Sequence, residues 1–154
     1  MTDETTPTRQ VPGPDSACPE VTPDWWQTIF DEVYLLTDAR SVQDPEVTRR
    51  EVDQLVAHLG LKTQEAILDL CGGHGRHALE LARRGFAPIT VLDYAAPLLA
   101  HGRDQSRREN LKIAFVQGDA RRLPLADGIF HTILILANSF GYGETPEEDR
   151  KSVV

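Results

Sequence analysis

The stretch Ala66-Ile67-Leu68-Asp69-Leu70-Cys71-Gly72-Gly73-His74-Gly75-Arg76-His77-Ala78-Leu79-Glu80-Leu81-Ala82-Arg83-Arg84-Gly85 decides the fold. Its first five residues are a short, largely apolar run, the pattern of a buried strand. Three glycines in four positions follow, and His77 to Arg84 then reads as a helix closed by Gly85. Where a strand enters a helix through glycines, a ligand can approach the backbone and meet the unpaired N–H groups of the helix start. A tight turn with no ligand is the plainer reading, and glycines packed this densely weigh against it.

Downstream the same alternation continues. Pro88–Asp93 reads as a second strand, and about Pro97 to Arg107 as a helix. Ile113–Gln117 is a third strand and Phe130–Ala137 a fourth. Thr145-Pro146-Glu147-Glu148 carries a helix-start signal, with Thr145 as cap. Strands separated by helices predict βαβ units, hence an α/β fold with a mostly parallel sheet between two helical layers. Upstream, Asp44-Pro45-Glu46 opens a helix whose Val52, Leu55, Val56 and Leu59 share a face, with Gly60 as the stop. An earlier helix is expected to start at Thr22-Pro23-Asp24, with Trp26, Ile29, Phe30, Val33 and Leu35 or Leu36 on one side. Residues 1–22 hold Pro7, Pro12, Pro14 and Pro19 and little that could build a core, so they read as a disordered tail. The organisation expected is thus tail 1–22, helical segment 23–62, and a ligand-binding domain over 63–154.

Three carboxylates close three strands. Asp69 precedes the glycines, where it would repel a pyrophosphate but suit a ligand bearing an amino cation. Asp93 ends the second strand, where an acid can accept both hydroxyls of a ribose. Tyr94 beside it can pack on an adenine face, and Gly118-Asp119-Ala120 offers an acid for the adenine amino group. Any one of these fits a loop cap or a solvated turn; all three meeting at one edge of a parallel sheet fit a ligand site better.

These residues resemble the S-adenosylmethionine-dependent methyltransferases of the Rossmann-like class. That family opens with an acid and three spaced glycines; here the run is Asp69-Leu70-Cys71-Gly72-Gly73-His74-Gly75, with Cys71 in place of the first spaced glycine. Asp93 matches the ribose acid. Gly118-Asp119-Ala120, Leu123-Pro124 and Asp127-Gly128 match the third motif. The small-molecule branch reads much like the "GRHALELARRG" and "NSFGY" of this chain. The resemblance covers roughly residues 60 to 148 and implies a Rossmann-like three-layer sandwich. It further implies S-adenosyl-L-methionine as cofactor, bound by Asp69, Cys71, Gly72, Gly73, Gly75, Asp93, Tyr94, Asp119, Ala120 and Ala137, and a small-molecule methyl acceptor. The family's sheet has seven strands and this chain reaches four, so the fold is expected to be incomplete on its C-terminal side and turnover is in question. No catalytic base is identified.

Two rivals compete. Gly73-x-Gly75-x-x-Ala78 with Asp93 also fits a degenerate NAD-binding fingerprint, that of an oxidoreductase. Asp69 and the Gly118-Asp119-Ala120 element oppose it. A non-catalytic methyltransferase-like binding module is the other rival, and truncation is its argument. Cys71, His74 and His77 could be drawn as metal ligands, but no fourth ligand has suitable spacing. His101 and His131 read as isolated, and Trp25, Trp26 and Tyr34 as helix-to-sheet packing or a lid over the cofactor.

Composition narrows the partners. Over 154 residues, 16 Lys plus Arg against 24 Asp plus Glu give a net charge of −8, which disfavours nucleic acid. No apolar run suits a membrane span and no secretory signal opens the chain. Two cysteines rule out a disulfide framework and fit a reducing, cytoplasmic home.

Overall fold

The computed structural model describes residues 26–37, 44–137 and 139. In chain order the elements are α1 (Trp26–Ile29), α2 (Glu32–Thr37), α3 (Pro45–Leu59), β1 (Ile67–Leu70), α4 (Arg76–Arg83), β2 (Ile89–Asp93), α5 (Ala96–Arg108), β3 (Ile113–Gln117) and β4 (Thr132–Ile135). The four strands form one parallel sheet in the order β3-β2-β1-β4. Stepping from β1 to β2 to β3 moves the chain one way, and β4 returns to the other side of β1. The carboxyl edge therefore has a switch point between β1 and β4, where open α/β sheets bind ligands.

Strand β1 is buried along its whole length, which hides the alternation that would reveal its two faces. Register supplies it instead. Ile67, Asp69, Ile89, Val91 and Leu134 share the face packed by Val52 of α3, Ala78 and Leu81 of α4 and Leu99 of α5. Leu68, Leu70 and Leu92 point the other way, and the loop 118–131 covers them with Leu123, Leu125 and Phe130. Among the described residues one face thus carries a helical layer and the other a loop.

The expected elements are present with small shifts. Asp44 caps α3 by accepting the Glu46 N–H at 2.8 Å, and Gly60 ends it at φ 62°. The fourth strand is shorter than expected, Thr132–Ile135, and Ala137 beyond it has φ 54°. The N-terminal helix differs more. It is broken into α1 and α2 because Asp31 Oδ1 accepts the N–H groups of Val33 and Tyr34, at 2.8 and 3.1 Å, and so starts a new helix. The expected apolar face is packed only in part. Ile29, Val33 and Leu36 are exposed, whereas Phe30 and Tyr34 pack edge to face on each other and against Leu98 of α5 and its cap residue Ala95. The tail, the Thr22 and Thr145 helix starts, Trp25, and Asn138, Phe140 and Tyr142 lie outside the described residues.

Candidate functional site

The loop between β1 and α4 adopts the left-handed region three times, at Cys71 (φ 57°), Gly73 (φ 57°) and Gly75 (φ 73°). Glycine takes this conformation freely, while Cys71 carries the strain of an L side chain there. Two loop glycines are also required by space. A Cβ on Gly72 would lie 2.7 Å from Cγ of Asp69, and one on Gly75 would lie 3.1 Å from both the Phe115 ring and Cγ2 of Val91.

Asp69 sits beneath this loop, on the helix-facing side of the sheet, with 1% exposure. The Ala78 backbone N–H in the first turn of α4 donates to its carboxylate, and Oδ2 has no partner. Burial, aided by repulsion from Asp93, raises its pKa from 3.8 to about 7. Asp93 clamps the loop from the side: Oδ2 accepts the Gly73 N–H at 2.7 Å and Oδ1 the Ala95 N–H at 2.8 Å. A carboxylate has about four lone-pair sites, so acceptor capacity remains for a ligand's hydroxyls. Burial raises the Asp93 pKa as well, against the pull of its backbone donors.

Asp119 follows β3, its carboxylate bound by Arg121 two residues on, with Nη2 to Oδ2 at 2.6 Å and Nε to Oδ1 at 3.0 Å. Those bonds hold its pKa below the usual carboxylate value. Ala120 packs with Leu68, Leu70 and Leu92. Tyr94 is half exposed beside Asp93, and its carbonyl accepts from Gln117 Nε2 at 3.1 Å. The three acids act on one place. Burial pushes the Cys71 thiol up to about 12, and Asp93, Asp69 and Asp119 all push in the same direction. Cys71 is therefore a thiol at neutral pH, which removes it as a nucleophile. Among the described residues no group of three His, Cys, Asp or Glu side chains could hold a metal ion.

Ala137 lies apart from the clamp, lining a groove of about 440 Å³ with Leu55, Leu59, Leu136, Glu51, Arg76 and His77. Three features escaped the sequence reading. His101 is not isolated, since its ring meets His74 edge to face at 5.9 Å. His131 Nδ1 accepts the Ala66 N–H ahead of β1 at 3.1 Å. Glu51 reaches from α3 to Arg76 and to His77 Nε2. The Asp119–Arg121 pair, a fourth feature, had a local signal, opposite charges two residues apart in a turn; the other three are tertiary and had none.

Comparison with known proteins accords with this geometry. A demethylmenaquinone methyltransferase of Beutenbergia cavernae is 39% identical over 83 residues, 54% of this chain and 31% of that protein. A malonyl-[acyl-carrier protein] O-methyltransferase of Xylella fastidiosa is 36% identical over 91 residues, 58% of this chain and 30% of that protein. The chain thus spans about a third of the length of these relatives. Among solved structures, an S-adenosyl-L-methionine-dependent methyltransferase, so titled, from Methanococcus maripaludis shares the fold. Its TM-score is 0.70 at 19% identity, over 80% of this chain and 57% of that one. The [4+2]-cyclase SpnF gives 0.53 at 27% identity, over 57% of this chain and 33% of that one. The family model described as a methyltransferase domain matches residues 67–154, more than half of the chain. The chain belongs to the methyltransferase-domain family.

Proposed function

We propose that residues 63–154 form the donor-binding part of an S-adenosyl-L-methionine-dependent methyltransferase acting on a small molecule. The observation that carries this reading is the glycine loop at the carboxyl edge of the sheet, clamped by Asp93, with Asp69 beneath Gly72 and Asp119 just past the end of β3. The field of these acids favours a ligand with a sulfonium and an ammonium, and opposes the pyrophosphate of NAD. Family membership points the same way.

The residues present fit that donor. Asp93 offers its remaining acceptor sites to the ribose, Tyr94 flanks the adenine, and Asp119 and Ala120 meet its edge. Gly73 and Gly75 let the donor approach the backbone, and Gly72 leaves the Asp69 carboxylate room below. Asp69, beneath the loop with Oδ2 unpaired, acts on the donor's amino group from below, and that cation favours its ionised form against the burial that raises its pKa. When bound, the sulfonium supplies an activated methyl group, and the protein's part is to align the acceptor and exclude water. A net charge of −8 disfavours a nucleic-acid acceptor. Among the described residues no helix is long and apolar enough to cross a membrane.

The test is calorimetric titration of the chain with S-adenosylhomocysteine and, in parallel, NAD. Binding of S-adenosylhomocysteine alone is expected. Binding of NAD alone would replace this reading with that of an oxidoreductase. The likeness to a protein titled a cyclase keeps a second reading open, a donor-type pocket serving another end. Methyl transfer from labelled donor to a panel of small acceptors separates the two.

A further inference from the structure

We propose that Glu51, on α3 and outside the glycine loop, is a positioning residue for the donor site, an inference that rests on the donor reading above. Helix α4 starts at Gly75 with no side-chain cap there, although such caps ordinarily stabilise helix starts. Its first turn is held from elsewhere. Asp69 takes the Ala78 N–H from below. From α3, the Glu51 carboxylate accepts a hydrogen bond from Arg76 and meets His77 Nε2 at 2.9 Å, while Arg76 also donates to Thr48 Oγ1 at 3.1 Å. Arg76 and His77 are the first two residues after the loop.

Their burial makes the arrangement matter. The side chains of Arg76 and His77 are only 13% and 7% exposed, so Glu51 is the counter-charge to a guanidinium largely removed from water. Held there, Arg76 also stands close enough to Asp69 to favour its ionised form. A second rung joins the same helices at the far end of α4, where Arg84 pairs with Asp53 at 2.7 Å and donates to the Arg49 carbonyl at 3.1 Å. The two rungs differ in burial, Arg84 and Asp53 being the more exposed pair, and in place: only the Glu51 rung touches residues that leave the loop.

That difference provides the test. Glu51→Gln and Asp53→Asn each remove one inter-helix ion pair. Both variants of the full chain are titrated with S-adenosylhomocysteine, and amide hydrogen exchange is followed at Arg76–Ala78. Glu51→Gln should raise Kd about five- to tenfold and speed exchange in the first turn of α4, while Asp53→Asn stays within about twofold. Equal effects of the two variants, or a Glu51→Gln Kd within about twofold of the unaltered chain, would reduce Glu51 to an ordinary strut and overturn the proposal. Absence of binding in the unaltered chain is a different failure, because it removes the donor reading and this inference with it.

Discussion

The backbone N–H of Gly73 donates to Oδ2 of Asp93 at 2.7 Å, so the acid that ends β2 holds the loop that leaves β1. The other oxygen accepts the Ala95 N–H at 2.8 Å, at the N-cap of α5. One side chain therefore fixes a loop and a helix start, and the fold shapes the site before any ligand arrives.

Asp93→Ala should lower the unfolding free energy by about 1.5–3 kcal/mol, because two part-buried amides lose a charged acceptor. Donor affinity should fall too, since the loop loses its clamp and the ribose its partner. Asp93→Asn keeps one carbonyl oxygen and should lose less of both. Urea unfolding of the three proteins checks the order. An Ala variant that unfolds at the original midpoint would show that the loop holds its shape unaided.

The loop and the acids were legible in the sequence because glycines and strand-end carboxylates are local signals with fixed spacing. What was not legible is where each acid points. Strand β1 is buried on both faces, so its sequence carries no alternation, and Asp69 could be read as open to ligand when it lies beneath the loop. The break between α1 and α2 had a local cause, Asp31 two and three residues before the amides it accepts. It was masked by apolar residues at helical spacing on either side. The Glu51 link to Arg76 and His77 spans 25 residues or more, and no local pattern announces it.

Two buried groups should give stability opposite dependences on pH. Asp69 has its pKa raised from 3.8 to about 7 by burial and by Asp93. The native state keeps a proton that the unfolded chain releases, so this contribution is full below about pH 4 and is lost as pH rises toward 7. His74 has its pKa lowered from 6.5 to about 4 by burial and by His101. Its contribution is full above about pH 6.5 and is lost as pH falls toward 4. The two slopes oppose one another, so they cancel in part across that window. Asp69→Asn should uncover a rise with pH and His74→Gln a fall, each at most about 1.4 kcal/mol per pH unit. Denaturant titrations at pH 4, 5, 6 and 7 read this directly. An Asp69→Asn profile parallel to the original would mean that the carboxyl titrates near its ordinary value.

Gly72 and Gly73 are neighbours with different reasons to be glycine. A Cβ on Gly73 would meet only Cδ1 of Leu98 at 3.5 Å, so Gly73→Ala carries mainly left-handed strain, about 1–2 kcal/mol. On Gly72 it would collide with the Asp69 carboxylate, 2.7 Å from Cγ and 2.8 Å from Oδ2. Gly72→Ala should therefore cost more, roughly 2–3 kcal/mol, with the carboxylate forced away from Ala78. The mechanism predicts a coupling: in an Asp69→Ala background the Gly72→Ala penalty should shrink by more than half. Additive penalties in that double-mutant cycle would rule out the collision as the cause.

Asp119 poses a specificity question, because Arg121 already occupies the carboxylate that the adenine reading needs. The pair is partly exposed, so its share of stability is small, no more than about 1 kcal/mol. Its effect should appear in base discrimination. If Asp119 accepts the adenine amino group through a free lone pair, the chain should prefer S-adenosylhomocysteine to its inosine analogue, whose ring carries an acceptor oxygen in place of that donating amino group. Asp119→Ala should erase most of that preference while leaving the melting temperature nearly unchanged. Arg121→Ala should keep the preference, because the acceptor remains and gains freedom to approach the base. Competition titrations with the two nucleosides on the three proteins decide the matter. A preference that survives Asp119→Ala would move adenine recognition to the backbone around Ala120.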